Sequence, residues 1–239
     1  MRIGLLGYGK MGKVIEEVAL KRGHEIVLKV DAHNPLQSTA DLAECDVAIE
    51  FSIPSEAARN MSLCMEAGVP VIVGTTGWYD ALDEMRAFQE QENARVLTAT
   101  NFSIGVNVFF HLNRQLAKVM NKLDQYEVDI EETHHVHKLD APSGTAITTA
   151  EIILAEIKRK RSWKLDEGQA DELLIGSHRL DEVPGTHEVF YTSTVDQISF
   201  RHEARSRMGF AEGSVLAAEW LTKQAEGFYG MNDMLEFEN

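Results

Sequence analysis

The sequence predicts an α/β protein in two parts, an N-terminal parallel sheet covered by helices and a smaller α+β part with a mixed sheet. Three observations predict it. Over the first hundred residues short apolar runs alternate with stretches of helical spacing. Those runs are apolar at consecutive positions, as strands covered on both faces must be. Late in the chain HEVFYTST (187–194) and DQISFRHEA (196–204) are β-rich and nearly contiguous, which suggests antiparallel pairing.

The elements follow in order. A strand over 3–6 leads to a helix over 11–20, stopped by Gly23, and a strand over 25–30. CDVAIEFS (45–52) is the third strand, and a helix starts near Ser55 behind Pro54 and stops at Gly68. PVIVGTT (70–76), a helix over 80–92 and RVLTATN (95–101) complete the alternation. Beyond it the spacing predicts a helix over 106–119, a strand over 126–133 and a helix over 145–160. The polar stretch that follows predicts no strand before the 187–194 run. An amphipathic helix over 211–224 ends the pattern and is expected to return to the first part. The expected domains are therefore 1–104 with 212–239, and 105–211.

The chain has 239 residues with 38 acidic and 23 basic side chains, a formal net charge of -15. Such a balance disfavours nucleic acid and anionic membranes as partners, so an anionic ligand must be held by local donors. No apolar run is long enough to span a bilayer, and no secretory signal is read at the N-terminus, so a cytoplasmic protein is expected. Cys45 and Cys64 stand in no metal or redox spacing, which fits a reducing compartment.

Gly7-Tyr8-Gly9-Lys10-Met11-Gly12 is a GxGxxG run between a predicted strand and helix, and Asp31 ends the next strand. The first glycine permits a tight turn, the second lets backbone approach a pyrophosphate, and the third allows helix and strand to pack closely. This is the pattern of a Rossmann-type dinucleotide site, with a Gly-rich turn that binds nothing as the alternative. Asp31 can accept hydrogen bonds from both ribose hydroxyls and repels a 2′-phosphate, so NADH is expected over NADPH, although Lys10 and His33 could soften the preference. Gly74-Thr75-Thr76 and Ala99-Thr100-Asn101-Phe102 fall at the ends of the fourth and fifth strands. They either face the nicotinamide half or serve only as turns.

EETHHVHKLDAPSGTA (131–146) places three histidines and a lysine just ahead of a helix start. If the strand ran on, His134 would share a face with Val136 and Lys138, and His135 with His137. Pro142 should end the extended segment, and Ser143 or Thr145 can cap a helix whose first amides form an anion site. A carboxylate held by the amides of Gly144 and Thr145, beside Lys138 and the histidines, is the functional reading. Three others stay open: a metal held by His135 and His137 with Glu131 or Glu132, histidines of purely structural role, and a nucleophilic Ser143, which no GxSxG elbow supports.

The string E-x-H-H-x-x-K-x-D-A-P-S-G-T-A (132–146) resembles the signature of the dihydrodipicolinate reductase family. GYGKMG, DVAIEFS, VIVGTTG, ATNFSIGVNV and SRMGFAEGSVLAAEWL occur in the same order, so the resemblance covers nearly the whole chain. It implies an enzyme that uses NADH or NADPH to reduce 4-hydroxy-tetrahydrodipicolinate, a small dicarboxylate, to tetrahydrodipicolinate in lysine and diaminopimelate biosynthesis. It implies that His134 is the general acid/base and Lys138 a proton donor that also meets substrate. His135, Gly144 and Thr145 then bind substrate carboxylate; Gly7 to Gly12, Asp31, Gly74 to Thr76 and Ala99 to Phe102 line the cofactor. A homotetramer, with closure of the two lobes over the reactants, is implied as well. The chain departs from the pattern in its short link between Asp31 and Cys45, and in a second lobe expected to lack strands that longer members carry.

Two rivals remain at this level. Another Rossmann-type oxidoreductase, such as an aspartate or homoserine dehydrogenase, would share the glycine motif, and an NAD-sensing regulator would add a basic DNA-binding segment. Neither needs carboxylate donors ahead of a capped helix.

Overall fold

The computed structural model describes residues 1–237 and divides into two compact units, 1–104 with 207–237 and 105–206. In the first unit the chain forms β1 (Arg2–Leu6), α1 (Lys10–Lys21), β2 (Glu25–Val30), β3 (Val47–Glu50), α2 (Pro54–Glu66), β4 (Val71–Val73), α3 (Leu82–Glu92) and β5 (Arg95–Thr98). The second unit holds α4 (Ile104–Met120, its first residue in the first unit), β6 (Glu127–His134), α5 (Gly144–Glu156), β7 (Ser162–Leu165), β8 (Glu172–Arg179), β9 (Thr186–Thr192) and β10 (Gln197–Glu203). The chain then re-enters the first unit as α6 (Met208–Leu221), β11 (Gly227–Tyr229) and α7 (Met231–Met234).

The first unit is the expected α/β layer structure. Its sheet is parallel throughout, in the order β11-β5-β4-β3-β1-β2. Strand alternation sends Ile3, Leu5, Val47, Ile49 and Ile72 to one face, where Ile15, Val18, Val215 and Leu221 of α1 and α6 cover them. Leu6, Ala48, Val71 and Val73 face the other way, under Ala57, Met61, Cys64 and Met85 of α2 and α3. Full burial of each large apolar side chain here contributes about 1.5–3 kcal/mol. The close approach of α6 depends on Gly213, where a Cβ would lie 1.7 Å from the Phe102 carbonyl oxygen. Strand order reverses between β1 and β3, and ligands of open α/β sheets sit beyond the carboxyl ends of strands at such a point.

The second unit is a five-stranded mixed sheet in the order β10-β9-β6-β8-β7. β9 runs antiparallel to β6 and β10, while β8 runs parallel to β6 and β7. One apolar core joins Phe109 and Ala117 of α4, Ala150 and Ile153 of α5, and Val128, Ile130, Leu173, Ile175, Val189 and Tyr191 of the sheet.

Here the structure corrects the expectation of a strand-poor stretch, because β7 and β8 lie within it and β8 pairs directly with β6. β8 buries only Leu173 and Ile175 on alternate positions, and its remaining residues are polar or half-exposed. Two inward apolar residues flanked by DEGQAD give too faint a period-2 signal to read. The short β11 and α7 were likewise not expected.

Candidate active site

The glycine run makes the tight turn and the close helix packing that its spacing suggests. Gly7 leaves β1 with φ +107°, and a Cβ there would stand 2.2 Å from the Phe51 carbonyl oxygen. A Cβ on Gly12 would lie 2.5 Å from the Gly7 carbonyl oxygen, so the first turn of α1, with Lys10 and Met11, sits directly on the loop. Gly9, the N-cap of α1, has open space where a side chain would be. A cleft of about 620 Å³ opens there, lined by Gly7, Tyr8, Gly9, Asp31, His33 and Phe51 among others. Backbone at a helix N-terminus with an acid just past the neighbouring strand is what a dinucleotide requires, so these residues fit one.

Asp31 accepts the amides of His33 (2.8 Å) and Asn34 (3.0 Å) through Oδ1, and these bonds hold its carboxyl below the ordinary carboxylate range. Lys29 is paired with Glu16 at 2.7 Å and lies over the Tyr8 ring, 4.6 Å from its centre, and the Tyr8 hydroxyl donates to the same Glu16. This pairing of Lys29 is unread in the sequence.

Gly74, Thr75 and Thr76 follow β4, and Ala99, Thr100, Asn101 and Phe102 follow β5. They stand at the carboxyl edge of the same sheet but do not line the cleft. Thr75 accepts the Trp78 indole N–H through its carbonyl (2.8 Å), and Asn101 Oδ1 accepts the Ser103 amide (2.8 Å). Gly74 is pinned by packing, since a Cβ would run into the Phe51 ring at 2.2 Å.

In the second unit the buried face of β6 turns polar at its carboxyl end. Val128 and Ile130 enter the core, and the next two positions on that face are Glu132 and His134, both buried. The strand stops there: the Lys138 amide donates to the His135 carbonyl (3.1 Å) in a turn. The alternation expected through Lys138 therefore does not hold, because a turn breaks the two-residue period. His135 and His137 remain neighbours, ring centres 6.2 Å apart, and His137 is exposed and faces Glu182 at 3.6 Å.

The helix start is built as expected. Ser143 caps α5, its Oγ accepting the Ala146 amide (3.2 Å), and Gly144 and Thr145 form the first turn. Glu132 reaches from β6 to this cap: its Oε1 accepts the Ser143 amide (3.0 Å) and the Ser177 hydroxyl (2.6 Å). Burial works to raise the Glu132 carboxyl, but the nearby imidazoles of His134 and His187 and the hydrogen bonds from Ser143 and Ser177 outweigh it and hold the group well below the ordinary range. Burial, and then the neighbouring His134, push His187 downward. Lys138 Nζ donates to both oxygens of Asp140 at 2.8 Å, and Arg179 donates to the carbonyls of Lys138 (3.3 Å) and Asp140.

Four residues here escaped assignment from sequence. Glu132 was weighed only as a metal ligand and Asp140 only as part of a string. Arg179 lies on the unread strand β8, and His187 on β9, with nothing in the sequence to say that β9 pairs with β6. Glu132, His134 and His187 present ligand atoms within 4.8 Å of one another, a spacing that could also hold a metal ion; it is a different trio from the one weighed above.

Comparison with known proteins bears on both units. Residues 1–102 match the model described as "Dihydrodipicolinate reductase, N-terminus", and residues 105–235 match its C-terminal counterpart. The chain is 48% identical over 235 residues to a 4-hydroxy-tetrahydrodipicolinate reductase of Christiangramia forsetii, covering 98% of each chain. It is 33% identical over 262 residues to one of Archaeoglobus fulgidus, covering 99% of this chain and 100% of that one. In fold it is similar to a dipicolinate-bound dihydrodipicolinate reductase from Paenisporosarcina sp. TG-14, with a TM-score of 0.80, 22% identity and 98% of each chain covered. The chain thus belongs to the dihydrodipicolinate reductase family, oxidoreductases of the NAD(P)H-dependent step that reduces 4-hydroxy-tetrahydrodipicolinate in lysine and diaminopimelate biosynthesis.

Proposed function

We propose that the unit containing residues 1–104 holds the dinucleotide in the cleft at Gly7 to Gly12 and Asp31, and that the 105–206 unit holds the dicarboxylate at the head of α5. When bound, the reduced nicotinamide supplies the hydride. Lys138 is the proton donor, its ammonium aimed by Asp140, and His134 is the general acid/base at the end of β6. The amides of Gly144 and Thr145 at the capped start of α5, with His135, receive a substrate carboxylate. One observation carries this reading: β6 delivers His134 and the turn delivers Lys138 beside a helix N-terminus that Glu132 ties to the same strand. The dipicolinate bound to the similar structure from Paenisporosarcina supports a dicarboxylate as the kind of ligand. A coupled assay with the product of the preceding synthase should show oxidation of reduced nicotinamide, and Gly144→Pro, which removes one of the two amides at the first position of α5 where proline is tolerated, should raise the substrate KM; an unchanged KM would remove the carboxylate site.

NADH is the preferred donor in this reading. Asp31 keeps one oxygen clear of its amide bonds to accept a ribose hydroxyl, and Lys29 is already neutralised by Glu16. Comparing kcat/KM for the two cofactors tests it, and a clear advantage of NADPH would refute it.

Assembly as a homotetramer, implied by the family resemblance, has a surface to use. A hollow of about 510 Å³ on the second sheet is lined by Asp129, Leu174, Gly176 and Phe190, and burial raises the Asp129 carboxyl. Light scattering should give four times the 26.7 kDa chain. A cytoplasmic location fits two free buried cysteines, and no helix among the described residues is long and apolar enough to cross a membrane.

A further inference from the structure

One enclosed carboxylate stands behind both halves of the proposed substrate site. Glu132 is 1% exposed, and its two oxygens do different work. Oε1 is occupied by the Ser143 amide and the Ser177 hydroxyl, with Arg179 at 3.5 Å. Oε2 faces two imidazoles, His134 Nδ1 at 3.3 Å and His187 Nε2 at 3.7 Å. The two facing atoms do not close a hydrogen bond at this distance, and neither Oε2 nor His134 Nδ1 has a hydrogen-bond partner among the described residues. His187 closes a ring of contacts, its Nε2 lying 3.1 Å from Ser143 Oγ, the cap of α5. On the far side of the His134 ring, Nε2 looks at Gly185, where a Cβ would come within 3.0 Å.

A carboxylate is costly to enclose unless it is fully hydrogen-bonded, so a single one placed between an imidazole and a helix cap fixes both. An imidazole whose Nδ1–H is accepted by a carboxylate must present the lone pair of Nε2, and the absent side chain of Gly185 leaves that nitrogen uncovered. Acid/base hydrogen bonds of this sort are commonly loose before substrate arrives. We propose that Glu132 is the positioning residue of the reaction: it holds His134 in the Nδ1–H tautomer and, through Ser143, sets the amides at the start of α5 against it, with His187 bracing the pair. The proposal rests on the reading of His134 as the acid/base. It adds that His134 and the carboxylate-binding helix share one anchor, which does not itself touch substrate.

The test combines nitrogen-15 NMR of the histidine rings, with His134 assigned by its loss in H134Q, and steady-state kinetics. The wild-type protein should show His134 protonated at Nδ1 in its neutral form; a predominant Nε2–H tautomer overturns the proposal without any variant at Glu132. In Glu132→Gln the amide N–H₂ can donate to Nδ1, so the tautomer should switch and kcat should fall about 10²- to 10⁴-fold. A merely structural carboxylate would lower the melting temperature and leave the tautomer alone. The double variant E132Q/H134Q should be no slower than H134Q, and additive losses would mean that Glu132 does not act through His134. If the tautomer switches in E132Q while H134Q keeps wild-type kcat, the contact stands as described and the acid/base reading of His134 is what fails.

Discussion

The Lys138 ammonium sits 2.8 Å from each carboxylate oxygen of Asp140, two residues along the chain, and Arg179 grips the carbonyl oxygens of both residues. A flexible lysine so held loses little further freedom when substrate binds. Lys138→Ala should lower kcat by about 10²-fold or more with the protein still folded, as expected when a proton donor is removed. Asp140→Asn keeps the ammonium but loosens its aim, so the loss should be smaller and show mainly as a raised substrate KM. A Lys138→Ala enzyme with near wild-type kcat would show that the proton comes from elsewhere.

Gly7→Ala should abolish cofactor binding. Alanine is strained at φ +107°, and its methyl group would meet the Phe51 carbonyl oxygen at 2.2 Å, so the loop must move. Strain and overpacking together should cost about 2–4 kcal/mol in stability. Urea unfolding and the NADH fluorescence titration should both register the change.

Glu219 of α6 binds Arg22 through two bonds of 2.8 and 2.7 Å and His24 at 2.7 Å, which ties α6 to the end of α1. These bonds, the Arg22 pair foremost, hold its carboxyl at about 2 against an ordinary 4.5. The folded value is the lower one, so the contribution is complete above about pH 4.5 and is lost as pH falls toward 2. Arg22 is 40% exposed, and screening trims the effect to about 1–2 kcal/mol. Glu219→Gln should therefore melt earlier than wild type at pH 7, with the gap closing between pH 4.5 and 2.

Dialysis against a chelator should leave kcat unchanged. The Glu132, His134 and His187 trio is accounted for by hydrogen bonds of Glu132 and His187 to the α5 cap and by close carboxylate–imidazole contacts between its own members. Loss of activity on chelation, restored by a divalent ion, would make the trio a metal site instead.

Legibility was highest where a local pattern carried the information. Strands such as VAIE and VIV are apolar at nearly every position, and the glycine run declared both its turn and its helix, because those constraints act within a few residues. The Ser143 cap was readable for the same reason. It failed where position depends on pairing: nothing local says that β8, with two inward apolar residues, lies beside β6 and brings Arg179 to the Lys138 turn. Nor does HEVFYTST announce that His187 will face Glu132 across two antiparallel strands. The alternation drawn through Lys138 failed because a turn ended the strand at His134, a choice of backbone that side-chain periodicity does not encode.

The strand Gly227–Tyr229 hydrogen-bonds to Arg95–Leu97, and α6 covers the sheet that the first hundred residues build. A ribosome therefore releases the N-terminal half with one sheet margin unpaired and one apolar face covered by α1 alone, while the intervening 105–206 segment is already complete in itself. Order of maturation follows: the middle of the polypeptide can consolidate first, and the nucleotide-binding half must wait for the segment from residue 207 onward to be synthesised. Chaperone dependence and sensitivity to premature stop codons should concentrate in that interval.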